Sequence, residues 1–381
     1  MSHLHDVFAP YWRSIQPALF PWVEVATGPL THPQQQLVTT LEVVRVEEHL
    51  PAGWTGFPGR PLKDRAAIAR AFVAKAIYGL ATTRMLLDRL ATDAALRRIC
   101  GWEKQRDVPS ESVFSRAFAA FATTHVIERV HEALITSTLQ DRLVGHISRD
   151  ATAIEAREKP VQTPAPPPTP PKKRGRPKHG DEPVKKPPTR LARQQTMTLE
   201  EMRADLPTAC NVGTKRNSQG HQESWIGYKL HLDTADGDIP ISGLLSSASL
   251  HDSQAAIPLA TLSAQRVINL YDLMDAAYDA PEIRAHSRAL GHVPLIDTNP
   301  RRNAALQAEL QAEARRRAVI RLPSAEDVRY NQRSAAERVN ARLKDEFGGR
   351  YVRVRGHAKV TCHLMFGILA LTANQLLRLI T

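Results

Sequence analysis

Between Leu62 and about Thr138, apolar residues recur every three or four positions, most clearly in AAIARAFVAKAIYGL and TRMLLDRLATDAALRRI. That period predicts helices with one buried face. Gly101–Trp102 and Val108–Ser112 interrupt the run, and Ser110 is placed to cap a further helix that turns Val113, Ala117, Phe118 and Phe121 inward. Residues 1–60 carry scattered Pro and Gly and show little period. From Leu143 to Ala156 the pattern changes to β-branched and apolar residues around Asp150, a strand. Beyond residue 190 strands and helices follow one another. Glu223–Ala235 and Asp238–Ser249 are strands joined by a hairpin signal at Ala235-Asp236-Gly237-Asp238. HDSQAAIPLATLSAQ is a helix, Val267–Asp275 a buried-type strand, PEIRAHSRAL a helix with Pro281 near its start, HVPLIDTN a strand, and Asn303 to about Val319 a helix. The apolar run from His363 to Thr381 contains Thr372, Asn374, Gln375 and Arg378, so it is predicted as a buried core helix and not a membrane span.

Tyr330 to Lys344, YNQRSAAERVNARLK, is predicted as one helix. At about 100° per residue, Tyr330, Arg333, Glu337 and Lys344 fall within about 60° of one another, with Ala336, Val339, Leu343 and Phe347 opposite. One face suits burial, and the other presents a carboxylate among two cations and a phenol. A solvated surface helix shows the same pattern, so the rest of the chain must separate the two readings.

Charge narrows the choice. The formal net charge is +12 and the pI about 9.8, which points to a polyanion, nucleic acid before membrane. The excess is concentrated. Residues 160–190 hold 11 of the 27 prolines and eight Lys or Arg against two acids, a composition that cannot bury enough apolar surface to fold alone. Within this linker Arg174-Gly175-Arg176-Pro177-Lys178 resembles an AT-hook, in which an extended Arg-Gly-Arg enters the narrow A·T-rich minor groove. A plain basic linker that binds phosphates non-specifically reads equally well. In FGGRYVRVRG, Arg350, Arg353 and Arg355 alternate, either to line a DNA groove or to guard an edge strand. Cys100, Cys210 and Cys362 are odd in number and far apart, which fits a reducing cytoplasm better than a disulfide framework, and no CxxC pair suggests structural zinc. MSHLHDVFAPYW lacks the pattern of a secretory signal.

Three acids suit metal-assisted phosphodiester chemistry, in which two Mg²⁺ ions roughly 3.5–4 Å apart serve the attacking and leaving oxygens. Asp150 lies on the first strand, Asp275 at the end of the fourth, and Glu337 on a later helix. Asp141 is the alternative to Asp150, while Asp272 and Asp279 compete with Asp275, and Asp233 and Asp252 read as hairpin and cap residues. The spacing Tyr330-(2)-Arg333-(3)-Glu337-(6)-Lys344 reproduces the Y-(2)-R-(3)-E-(6)-K signature, and the chain resembles the bacterial insertion-sequence DDE transposases of the four/five group. Asp275-Ala276-Ala277-Tyr278-Asp279 is similar to their D-x-G-Y-D block, with Ala277 where Gly is common. Gly213–Ser253 and the helical stretch RRICGWEKQRDVPSESVFSRAFAAFA also resemble segments of that group.

The resemblance implies an α/β architecture: an RNase H-like mixed sheet flanked by helices, preceded by an all-helical N-terminal domain, with the proline-rich basic insertion after the first strand. The expected domains are residues 1–138 for DNA binding or dimerisation, 139–159 with 191–381 for catalysis, and 160–190 as linker. It implies that Asp150, Asp275 and Glu337 hold two Mg²⁺ ions, with Mn²⁺ as a substitute. Tyr330, Arg333 and Lys344 would then grip the DNA backbone, with Arg353 and Arg355 beside them. Partners would be double-stranded DNA, both element ends and target, and a second copy of the chain in a homodimer on DNA; no membrane is involved. Location would be the bacterial cytoplasm, at the nucleoid. A catalytically silent DNA-binding derivative and an RNase H-like nuclease without strand transfer remain alternatives.

Overall fold

The computed structural model describes residues 23–50, 64–139, 142–161, 187–216, 220–301, 303–320 and 325–379. The first part is helical: α1 (His32–Val44), α2 (Arg65–Ile77), α3 (Thr83–Thr92), α4 (Ala94–Cys100), α5 (Glu111–Thr124) and α6 (Val126–Leu139). Side chains that accept orphan backbone N–H groups set the starts of several of these helices. Asp64 accepts from the N–H of Ala66 and of Ala67, Thr82 from Met85, and Asp93 from Leu96. The continuous pattern over residues 83–99 is therefore two helices, because Asp93 ends α3 and caps α4. Ser110 holds the cap position of α5, but its hydroxyl lies 3.1 Å from that of Ser112 and closes no cap bond.

The sheet has six strands: β1 (Leu143–Glu155), β2 (Asn211–Arg216), β3 (Gln222–Ala235), β4 (Ile239–Ser247), β5 (Ile268–Met274) and β6 (Val293–Ile296). β1 lies between antiparallel β3 and parallel β5, and β6 continues in parallel beyond β5. β4 and β2 share the far edge of β3, one along each half of it. The β3–β4 hairpin turns through Gly237 and Asp238, both in the left-handed region (φ 76° and 60°). This open mixed sheet behind a helical region has the RNase H-like arrangement that the resemblance implied. β2 is an addition to the expected strands: NVGTKR carries too little apolar character to announce itself, and its backbone pairs with Gln222–Gly227.

The remaining helices are α7 (Arg190–Gln194), α8 (Leu199–Asp205), α9 (Ala256–Ala264), α10 (Pro281–Ala289), α11 (Ala304–Ile320), α12 (Ala325–Tyr330), α13 (Ser334–Asp345) and α14 (His357–Arg378). One expectation needs correction here. Tyr330–Lys344 is not one helix: α12 ends at Tyr330, Asn331–Arg333 make a 3₁₀ turn, and α13 starts at Ser334. The turn presents the Gln332 carbonyl to the Ser148 hydroxyl on β1 at 3.2 Å, a tertiary contact that overrides the local helical period. Of the readings open for the basic stretch after Phe347, the structure has a loop and not an edge strand; buried Phe347 and Val352 pin it, and Gly356 N–H donates to Glu158 at 2.8 Å.

α14 ties the molecule together. It is long and apolar enough to cross a membrane, but 78% of its apolar window is buried inside the molecule, as a core helix requires. It packs on α2, α5, α6 and β4, and the Phe366 ring lies 5.5, 6.2 and 6.4 Å from those of Phe72, Phe118 and Phe121. A Cβ at Gly367 would lie 2.6 Å from the Phe347 carbonyl oxygen, so α14 passes the end of α13 at a distance that only glycine permits. One hydrophobic core consequently runs from α1 through the sheet to α14. All three cysteines are free and buried.

Candidate active site

The register of β1 with β5 sets the geometry. Ile147 pairs with Asp272 and Ser148 with Leu273; carried on by two residues, the same register brings Asp275 level with Asp150. Because side chains alternate along a strand, Ser148 and Asp150 share one face while Ile147 and Arg149 share the other. Asp275 follows the last residue of β5 and caps a short 3₁₀ turn by accepting the Ala277 N–H at 2.9 Å. α13 crosses the Asp150 face with Ala335, Ala336, Val339 and Leu343 buried beneath it. Asn340, buried on this helix, donates to Asp150 Oδ2 at 3.1 Å. Glu337, one turn earlier, is ion-paired with Arg333 at 3.0 Å.

These charges are not balanced. Burial pushes the Asp150 carboxyl up to about 6; the Ala151 N–H and Arg333 oppose the rise, and the neighbouring Asp275 and Glu337 charges add to it. Burial also raises Asp275, against the Ala277 N–H and Arg333. For Arg333 burial disfavours the cation, but Tyr330, Glu337 and Asp150 together outweigh it and keep its pKa above the ordinary value. A single guanidinium thus serves three acids.

The competing acids are placed elsewhere. Asp272, three residues before Asp275, faces the opposite side of the sheet, where it accepts from Ser287 at 2.5 Å and meets His292 at 3.1 Å. Asp279 is held by Arg284 and by the Asn299 N–H. Asp233 is no hairpin residue: fully buried within β3, it forms a two-bond pair with Arg149 at 2.8 and 2.7 Å and accepts from Ser263 at 2.6 Å. Asp252 pairs with Lys229 at 2.7 Å but stands near the site, where its charge adds to the rise of Asp275. Asp141 lies outside the described residues.

Among the residues expected to grip DNA, Tyr330 donates its hydroxyl to Asp297 at 2.6 Å, and the Arg333 guanidinium lies 5.8 Å from the Tyr330 ring centre. Lys344 is on the same helix as Glu337 but about two turns, roughly 10 Å, further along. There burial first, then Lys215 and Arg350, lower its pKa. Arg353 is exposed, and Arg355 donates to the Arg157 carbonyl at 3.1 Å. Arg350 is committed to Asp345. Arg174, Gly175, Arg176, Pro177 and Lys178 lie outside the described residues. Sequence patterns missed Asn340 and Asp297. Asn340 could have been found as the residue one turn after Glu337 on the same ridge; Asp297 carries no such signal.

Carboxylates are hard oxygen donors of the kind magnesium and manganese take. Among the described residues no three His, Cys, Asp or Glu side chains stand close enough together to enclose an ion, and Glu337 is turned to Arg333. The donor chemistry and the shortage of positive charge at Asp150 and Asp275 nevertheless fit a divalent cation. Residues 150–373 match the Transposase DDE domain family, and residues 27–120 match the family described as Transposase domain (DUF772). No curated protein and no solved structure matches the chain. The first match begins at Asp150, spans more than half of the chain and includes Asp275 and Glu337, so the chain belongs to the DDE transposases of insertion sequences.

Proposed function

We propose that this transposase binds the double-stranded ends of its insertion sequence, cleaves the DNA there and joins the freed end to target DNA. The observation that carries the reading is the gathering of Asp150, Asp275 and Glu337 on one face of the sheet around one shared cation, Arg333. The spacing of Tyr330, Arg333, Glu337 and Lys344 supports membership of the four/five group. Magnesium held by Asp150, Asp275 and Glu337, with manganese as a substitute, would supply Lewis-acid activation of the attacking oxygen and charge stabilisation of the leaving one.

The chain's own residues bind and orient. Asn340 fixes the Asp150 carboxylate by its hydrogen bond. Arg333 is ready to exchange Glu337 for a phosphate, which a guanidinium can fork, and that exchange frees Glu337 to turn toward the two aspartates. Tyr330, braced by Asp297, offers a ring and a hydroxyl to the backbone, and Lys344 offers a point charge. Water adds to the phosphate at the element end and the 3′ oxygen leaves as a hydroxyl. That hydroxyl then attacks a target phosphodiester in line, exchanging one ester for another. Two ends held together call for a homodimer on DNA, working at the nucleoid in the cytoplasm.

The test is strand cleavage of an end-containing duplex with Mg²⁺ by wild type, Asp150→Asn and Glu337→Gln. Loss of cleavage with DNA binding retained is expected, and undiminished cleavage by either variant removes that residue from the site. Joined products support transposition; cut ends alone support a nuclease.

A further inference from the structure

A cavity of about 490 Å³ opens between the helical region and the loop that follows α13. Cations line it: Lys75 on α2, Arg157 just past β1, Arg353 and Arg355 on the loop, and Lys359 in the first turn of α14. Among the described residues the one acid on its wall, Glu111, is already paired with Arg84 at 3.3 Å. Phe72, Phe118 and Phe366 form an apolar floor.

Most arginines nearby are spent on acids, such as Arg338 on Asp238 at 2.7 Å and Arg342 on Glu346 at 2.9 Å. The cavity's cations are not. Among the described residues, no ion pair or side-chain hydrogen bond engages the side chains of Lys75, Arg157, Arg353 or Lys359. Lys75 is the telling case. Its side chain is only 7% exposed, against an apolar floor and without a counter-charge. Burial alone lowers its pKa to about 8. A buried ammonium is costly to leave unpaired, and an anion in the cavity would offset that cost.

The cavity is also continuous with the catalytic helix. Arg157 and Arg353 line both it and a second depression, whose walls include Lys344, the acid Glu155, and Arg350, which is paired with Asp345. A small anion would need one local cluster; a cationic run across two adjoining depressions suits a chain of phosphates. The geometry points to a DNA-backbone cleft in which Lys75, Arg157 and Lys359 hold phosphates of the strand that passes Lys344, so that the helical region and the catalytic domain grip one DNA segment together. This rests on the proposed function and extends the DNA path beyond it, to residues on α2 and α14 outside the Y-(2)-R-(3)-E-(6)-K spacing.

Backbone contacts do not depend on sequence, so the probe is a fluorescein-labelled duplex of arbitrary sequence, titrated by anisotropy over a salt series with the full chain. Lys75→Met and the surface double variant Arg157→Gln/Lys359→Gln are each expected to weaken binding about tenfold, with the log–log salt slope shallower by about 0.9 for each contact removed. The double variant decides the matter if Lys75→Met fails to fold. Unchanged affinity and slope in the double variant overturn the cleft. In that case weakened binding by Lys344→Ala leaves the active-site reading standing, whereas wild-type binding by Lys344→Ala removes that grip as well. Thermal stabilisation by orthophosphate that the double variant abolishes, with DNA binding intact, would assign the cavity to a small anion and also overturn the proposal.

Discussion

Asp150 and Arg149 are neighbours in one strand, yet they face two different chemistries. On the Arg149 side every strong charge has a fixed partner: Arg149 with Asp233, Asp233 with Ser263, and Asp272 with Ser287 and His292. On the Asp150 side three acids share Arg333, and Asp150 and Asp275 are pushed up by burial. Saturated networks hold a sheet together, because breaking them strands a buried charge. Unsaturated ones are unfavourable until a ligand arrives, as the proposed function requires of the second face.

The largest contrast is available by changing one residue on each face. Arg149→Met leaves Asp233 buried without its partner and should cost about 3–5 kcal/mol in urea unfolding. Asp150→Asn removes a charge that burial opposes, and should leave stability unchanged or raise it by about 1 kcal/mol while cleavage disappears. Comparable destabilisation by the two would erase the distinction between the faces.

A smaller effect comes from pH. His231 points to the Arg149 side, bonded to Ser246 at 2.8 Å, and burial pushes its pKa down to about 4. The folded chain refuses a proton that the unfolded chain takes up near its ordinary value of 6.5. Its contribution is therefore complete above pH 6.5 and is lost as pH falls toward 4. His131, lowered to about 3, acts in the same direction. Melting temperature should fall over that window, and His231→Gln should flatten the slope; an unaltered slope would take His231 out of the explanation.

Much of this was legible in the chain because it rests on local period and spacing. The helical run from Arg65 to Leu139, though not its break at Asp93, five of the six strands, the β3–β4 hairpin and the buried face of α13 follow from patterns of two and of three to four residues; α1 lies in the stretch that shows little period. The grouping of acids on the first strand, the fourth strand and a late helix comes instead from the resemblance that the Y-(2)-R-(3)-E-(6)-K spacing carries. What escaped depends on distant partners. Ser148 meets the Gln332 carbonyl of the 3₁₀ turn from 184 residues away, and Arg149 finds Asp233 across 84. β2 is specified by backbone pairing more than by side chains, and nothing in the α14 sequence says that it will join helices and sheet in one core. Asp272 and Asp275 are alike by residue type; the resemblance of the block after Asp275 favours Asp275, and strand parity turns the two to opposite faces.

That parity gives the most direct measurement. Mg²⁺-dependent cutting of a supercoiled plasmid carrying the element's ends should be compared for Asp275→Asn and Asp272→Asn, each normalised to its folded fraction. If the face of Asp150 is the working face, Asp275→Asn makes no cut product, while Asp272→Asn loses stability but cuts at the wild-type rate per folded molecule. Wild-type cutting by Asp275→Asn, or loss of cutting by folded Asp272→Asn, would contradict that assignment.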